Sequence, residues 1–377
     1  MIKRLRLSFK NKKLFYILFL PIALLLSYYA SYVPQFIESI YSKGIYLFIG
    51  QLLSLITGLL PISIAEWLIV FVCLFFIIKL FIMIAKSTKA SMLKEYKVLD
   101  FFSNLMIFIS LGYFCFIMIW GLNYHRLPFG NITGLDTKSS SVHELKALCE
   151  DLIHRTHQLR TALAEDKNGV MHIPHGPSSV FKRASIGYME AAQDYAVLDG
   201  RYGQPKGVFF SKFMSYAGIS GIYFPFTAEA NVNTLVPDFM LPSTTCHEMA
   251  HQRGFAREDE ANYIAYLTCN LHPDIDFQYS GTLLGLIHAM NALYTHDPVA
   301  YHQLYAAYHE GVKRDLAALT EFWHQYEGPI ERFSSELNNA YLKSNMQRDG
   351  IYSYGRMVDL LIAEYRLKHT FKETPNL

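Results

Sequence analysis

The hydrophobic and polar positions divide the chain near residue 122. Before that point, residues 14–33, 65–85 and 101–122 are apolar stretches of about 20 residues, interrupted only by Glu66, Lys79 and Asn104 near their ends. A bilayer core about 30 Å thick requires a helix of that length, so three membrane spans are expected. A fourth apolar stretch, residues 44–60, is broken by Gly50, Gln51, Ser54, Thr57 and Gly58. It reads either as an interfacial or re-entrant segment or as a further span. From residue 123 onward polar positions interleave with apolar ones, over a length sufficient for one sizeable core.

Within that region the spacing is mostly helical. Ser141 and Glu144 form a capping-box pattern that opens a helix running to about Glu165. Gly169, Pro174, Gly176 and Pro177 mark a linker, and a second helix is expected over Ser178–Leu198. Val208–Met214 and Ile222–Thr227 are rich in aromatic and β-branched residues and are expected to be strands. The segment Tyr223–Asn233 is a candidate for holding an extended substrate by backbone hydrogen bonds, or else an ordinary core strand and loop. Further helices are expected near 280–294, 297–326, 329–344 and 354–368, with Pro298 and Pro329 near two of their starts. The expected fold is mainly α with a small β-sheet (α+β). Residues 1–122 form a membrane anchor, and residues 123–377 form a catalytic domain.

The chemistry concentrates in His247-Glu248-Met249-Ala250-His251. On a helix, residues four apart share a face, so both imidazoles reach one metal ion while Glu248 lies beside the open coordination position. Two imidazoles and a third protein ligand hold Zn²⁺ and leave its fourth position to a water whose pKa falls toward about 7. Glu248 is then the general base that takes the water's proton and passes it to the departing amine. Gly254 is a natural helix terminator, and a second helix is expected to begin near Arg257 with Glu258 and Asn262 on one face. Glu258 is the expected third ligand, with Asn262 behind it. Glu260 is a rival about 200° further round that helix. The metzincin spacing HExxHxxGxxH places its third ligand at Arg257, which cannot bind a cation.

The helical HExxH followed by Glu258-x-x-x-Asn262 resembles the gluzincin arrangement. It is similar to the membrane-bound CAAX-type and heat-shock zinc peptidases, with Asn262 where those carry an aspartate. The chain also resembles, over nearly its full length, the bacterial membrane family called domain of unknown function 3810. That resemblance rests on three blocks, Gly218–Phe226, Thr245–Asn262 and Ser353–Arg356. It implies a membrane-anchored protein like a zinc peptidase and names no substrate.

Composition and charge narrow the setting. A hydrophobic share of 51% is too high for an ordinary soluble protein, and the excess lies before residue 123. Lys3, Arg4, Arg6, Lys10, Lys12 and Lys13 precede the first span, and Lys86, Lys89, Lys94 and Lys97 lie between the second and third. The positive-inside rule makes both clusters cytoplasmic, so three spans leave the catalytic domain outside the cytoplasmic membrane. The basic start also resembles a signal peptide, but it lacks a convincing cleavage site, so an uncleaved anchor is expected. A net charge of +2 gives no reason to invoke nucleic acid. Of the five cysteines, Cys73 and Cys115 fall in spans, and a Cys246–Cys269 disulfide is open in an oxidising compartment. Tyr223, Tyr354 and Arg356 are candidate oxyanion stabilisers, and His272 reads as a helix-end residue. The expected function is a multi-pass zinc metallopeptidase acting on peptides or proteins at the cell surface. The alternatives are a noncatalytic membrane sensor or assembly protein that retains zinc, and a zinc amidase acting on cell-wall peptides.

Overall fold

The computed structural model describes residue 13 and residues 15–85, 91–344 and 356–373. Apolar runs set the first helices: α1 (Phe15–Ala30), α2 (Pro34–Thr57), α3 (Ile64–Ala85) and α4 (Ser91–Ile119). Of these, α2, α3 and the Leu99–Ile119 part of α4 are long and apolar enough to cross a membrane. The apolar stretch 14–33 therefore forms the shorter helix α1, and residues 44–60 belong mostly to α2. The break between the two comes from Pro34, which starts a new helix because its missing N–H is not needed in the first turn. Side by side, α1 and α4 pack through Phe19 and Phe114, with ring centroids 4.9 Å apart, and α3 joins α4 through Phe76 and Phe108 at 5.1 Å. Lys13 pairs with Asp100 at one end of this group, and Ser27 bonds His125 at 2.8 Å at the other. Lys3, Arg4, Arg6, Lys10, Lys12, Lys86 and Lys89, on which the expected orientation rests, lie outside the described residues, as does Tyr354.

The rest of the chain is mostly helical with one small sheet. Helix α5 (Val142–Arg160) opens on its capping box: Ser141 Oγ accepts the Glu144 N–H at 3.2 Å, and the Glu144 carboxylate accepts the Ser141 N–H at 2.8 Å. It stops at Arg160 rather than near Glu165, and Arg160 is buried against Asp315 at 2.7 Å. After α6 (Gly176–Asp194) come β1 (Lys206–Gly207), α7 (Ser211–Tyr216), β2 (Gly221–Phe224) and β3 (Glu229–Val232). The strand expected over 208–214 is thus corrected: the pairing ends at Gly207, and most of that segment is α7. The Glu66 carboxylate explains the switch, because it takes the Phe209 and Phe210 N–H groups that a ladder would have used. Strand β3 is central, parallel to β1 and antiparallel to β2, so β2 is an edge. Of the candidate segment 223–233, only the β2 part has a free side.

Helices α8 (Leu241–Gln252), α9 (Glu258–Leu271) and α10 (Ile275–His296) form the centre of the core, packed on α5 and α6. At Gly187 of α6 a Cβ would stand 2.1 Å from the Thr268 carbonyl oxygen of α9, so only glycine allows this approach. The helix expected over 297–326 is two helices, α11 (Pro298–Ala306) and α12 (Glu310–His324). Between them Tyr308 is buried and the His309 Nδ1 accepts the Gly311 N–H at 3.1 Å, capping α12. Helices α13 (Pro329–Ser344) and α14 (Met357–Glu373) complete the chain.

The boundary at residue 122 is crossed by buried polar contacts. Glu38 of α2 forms a two-bond pair with Arg126, at 2.8 and 2.9 Å. The Glu229 carboxylate accepts the N–H groups of Ile64 and Ala65 at the start of α3, at 3.1 and 2.7 Å.

Candidate metal centre

Helix α8 carries the pentapeptide, and the order of its C-terminus decides the site. The last four carbonyls of a helix lack partners within it. Here the Arg253 guanidinium donates to Met249 O at 3.1 Å, and the Phe255 N–H returns to Ala250 O at 3.2 Å. Trp120 Nε1 donates to His251 O at 3.2 Å, and the Tyr46 hydroxyl donates to Gln252 O at 2.7 Å. Gly254, at φ +77°, makes the turn that brings Phe255 back. A Cβ there would also stand 2.8 Å from the Tyr46 ring. The turn places the Phe255 carbonyl 2.7 Å from His251 Nδ1. Arg257, with extended backbone, precedes α9, whose first turn holds Glu258, Asp259 and Glu260 beside the helix N-terminus.

One ligand atom each from His247, His251 and Glu258 lies within 4.8 Å of the others. The two Nε2 atoms are 3.1 Å apart, and His247 Nε2 is 3.2 Å from Glu258 Oε2. Two ligands of one tetrahedral zinc stand about 3.3 Å apart, so these separations suit one small cation. Both Nδ1 atoms face acceptors, Asn262 Oδ1 at 2.9 Å for His247 and the Phe255 carbonyl for His251. Each Nδ1 therefore carries the hydrogen, and each Nε2 is turned to the common point. Glu260 points elsewhere, its Oε1 accepting the Phe129 N–H at 2.8 Å and Arg257 at 2.9 Å.

Glu248 is buried, and its Oε2 has no hydrogen-bond partner among the described residues. The Tyr223 N–H of the edge strand donates to the same carboxylate. Gly221 leaves the space for it: a Cβ there would meet Glu248 Oε1 at 2.5 Å. Burial pushes the Glu248 carboxyl up to about 8, and the negative Glu258 adds to the rise against His247. Burial acts to lower His247, but the hydrogen bond and charge of Glu258 outweigh it and lift the imidazole to about 9. His251 is pushed down to about 4 by burial, despite Glu258.

The chain matches the model of the family described as "Protein of unknown function (DUF3810)" over residues 41–362. It belongs to that family. No curated protein and no solved structure matches the chain.

The matched region of this family member begins inside α2 and so takes in Tyr46, which the sequence reading missed. A signal for it was present: Glu38, Ser42, Tyr46, Gly50 and Ser54 recur every four residues in a mostly apolar run. The other candidate residues have the following surroundings. The Tyr223 hydroxyl lies 3.2 Å from that of Tyr46, against the closed end of α8, while its ring packs on Trp120. Arg356 is exposed, and its charge acts on Asp259. Cys246 and Cys269 are free and buried, and Cys246 is not in the ligand cluster. His272 is the C-cap of α9, stacked on Phe277. Tyr341 of α13 receives a 2.9 Å hydrogen bond from the Tyr124 hydroxyl and is near enough to Glu258 for that charge to act on its phenol. A cavity of about 590 Å³ opens three residues before Gly221, lined by Ser215, Gly218, Trp323, Tyr326, Glu331 and Arg332 among others. It contains none of the ligand residues.

Proposed function

We propose that this chain is a membrane-anchored, zinc-dependent metallopeptidase with His247, His251 and Glu258 as ligands and Glu248 as general base. The observation that carries the reading is the convergence of three ligand atoms beside a buried carboxylate whose Oε2 has no partner among the described residues. Zinc bound there would supply a Lewis acid that brings the pKa of a coordinated water toward about 7. Glu248 receives the attacking water's proton at Oε2 and delivers it to the leaving amine nitrogen. The Asn262 and Phe255 oxygens hold the two imidazoles in tautomer and orientation throughout. The free side of β2 offers backbone groups to an extended peptide, next to Glu248. Tyr341 is the phenol from which we expect polarisation of the scissile carbonyl. The basic residues 3–13 and 86–97 support a site outside the cytoplasmic membrane, facing peptides or proteins of the cell surface.

A noncatalytic protein that keeps zinc for structure has no need of a general base, whereas Glu248 turns a buried oxygen without a partner among the described residues beside the ligands. The test is zinc content of the full-length protein in detergent, for wild type, Glu248→Gln, Glu258→Gln and Glu260→Gln, with peptide-library cleavage in parallel. One zinc in wild type, retained without cleavage in Glu248→Gln and lost only in Glu258→Gln, supports the reading. No zinc in wild type overturns it, and cleavage of cell-wall peptides alone turns it into an amidase.

A further inference from the structure

We propose that α2 does not cross the membrane but lies in its interface, as a floor between the bilayer and the metal centre. By length and composition α2 qualifies as a span, so the inference rests on connectivity. Helices α1, α3 and α4 all present one end to the site. Ser27 near the end of α1 bonds His125, Glu229 binds the first N–H groups of α3, and Trp120 just after α4 reaches His251 O. The chain thus leaves α1 and enters α3 on the same side. Helix α2 is the only connection between them and runs unbroken from Pro34 to Thr57. A single crossing would deliver the chain to the opposite side.

The two faces of α2 agree with this. Toward the catalytic domain it turns Glu38, Ser42, Tyr46, Ser54 and Thr57, all buried. Their partners are Arg126, Asn123 Oδ1 at 2.8 Å, Gln252 O, the Gly203 N–H at 2.9 Å and Thr227 O at 2.9 Å. These anchor points extend along roughly 25 Å of helix, so α2 lies along the domain for nearly its whole length. Residues four apart drift about 40° per step on an α-helix, which would carry a face from Glu38 to Ser54 some 160° out of line. The Ile37–Tyr46 segment is π-wound, and its wider turn keeps those positions aligned. The opposite face exposes Phe36, Ile40, Phe48, Leu52, Leu55 and Leu59. Lys43, near the middle of α2, holds its ammonium 3.4 Å from the buried Glu38 on the domain-facing side, and a crossing would put this ion pair at the bilayer midplane. Phe209 and Phe213 are exposed at 80% and 70%, and the Phe209 N–H binds Glu66 in the first turn of α3. On the peptidase reading above, the substrate is then a polypeptide segment held within about one helix diameter, 10–12 Å, of the bilayer surface.

The test uses the full chain in lipid nanodiscs, with single spin labels on cysteines introduced at Phe36, Phe48, Leu52 and Leu55 and unmodified protein as background. None of these side chains touches the catalytic domain in the contacts above, and the measurement requires no activity. Depth is read from collision with oxygen against a water-soluble nickel chelate. All four labels are expected at one shallow depth, within about 5 Å of each other and below the headgroups. A crossing helix would spread Phe36 and Leu55 over roughly 25 Å, and that result overturns the proposal. Labels that collide with the chelate alone, and so lie in water, overturn it as well. The depth result stands or falls apart from the peptidase reading, which zinc content and cleavage decide.

Discussion

Gly221→Ala separates the general base from the metal. The new methyl would stand 2.5 Å from Glu248 Oε1, 2.7 Å from Cγ and 2.9 Å from Cδ, where ordinary contact begins at 3.4 Å. The carboxylate therefore retreats by about 0.9 Å or rotates out of place. Misplacement of a catalytic group by about 1 Å costs on the order of 100-fold in rate. The three atoms nearest the new methyl all belong to Glu248, so the strain falls first on the base rather than on the ligands. The expected outcome is zinc content and zinc affinity equal to wild type, with kcat on a cleavable peptide about 100-fold lower and KM little changed. The assay pairs metal analysis and competition with a fluorescent chelator with steady-state cleavage by full-length protein. Wild-type turnover in Gly221→Ala would refute the role given to Glu248. Loss of zinc together with activity would refute the separation of base from ligands.

Three further outcomes follow from the same geometry. Asn262→Ala removes the acceptor of His247 Nδ1 and is expected to weaken zinc affinity about 10- to 100-fold, read by chelator competition; unchanged affinity would contradict the role assigned to the amide. Zinc binding at pH 7 is expected to release at least one proton, because His247, held near 9 by Glu258 against the pull of burial, must lose one and the added positive charge favours loss of another from Glu248, near 8, while His251, near 4, is already neutral. Apparent affinity should then fall at least tenfold for each pH unit lowered from 8 to 6, and equal calorimetric heats in buffers of different ionisation enthalpy would refute the proton release. Asp315→Ala leaves the buried Arg160 without its nearest counter-charge and deprives Tyr279 and the Met171 N–H of an acceptor. It is expected to destabilise the protein by about 3–5 kcal/mol, and a loss below about 1 kcal/mol in equilibrium unfolding would count against it.

Local chemistry was legible in the sequence, and long-range arrangement was not. The HExxH spacing, the Gly254 stop and Glu258 with Asn262 behind it all follow from helical periodicity and the left-handed tolerance of glycine. The capping box at Ser141 is legible for the same reason, since both partners lie within four residues. The segment 208–214 was misread because its aromatic residues satisfy a strand propensity, whereas the deciding partner, Glu66, is more than a hundred residues away. Residues 44–60 were read without their first half because hydropathy alone does not reveal that polar positions every four residues, from Glu38 to Ser54, find partners on a distant domain. Tyr341 could not be singled out among 26 tyrosines, since only the packing of α13 brings it near Glu258.

The Glu38–Arg126 pair bears on how the metal centre can be isolated. The Arg126 guanidinium is 2% exposed, lies over the Phe255 ring at 4.1 Å and donates to Arg253 O at 3.2 Å, inside the turn that orients His251. A soluble fragment cut at residue 123 keeps this buried cation and discards its carboxylate, together with the Tyr46 hydroxyl that closes α8. Stranding such a charge costs about 3–5 kcal/mol, a large part of the 5–15 kcal/mol that holds a typical domain folded. The smallest unit able to preserve the geometry of His247, His251 and Glu258 therefore starts no later than Pro34 and includes the apolar helices that follow. Those helices are not an exchangeable tether: grafting the residues after 123 onto a foreign transmembrane helix would transplant the three side chains without the scaffold that aims them.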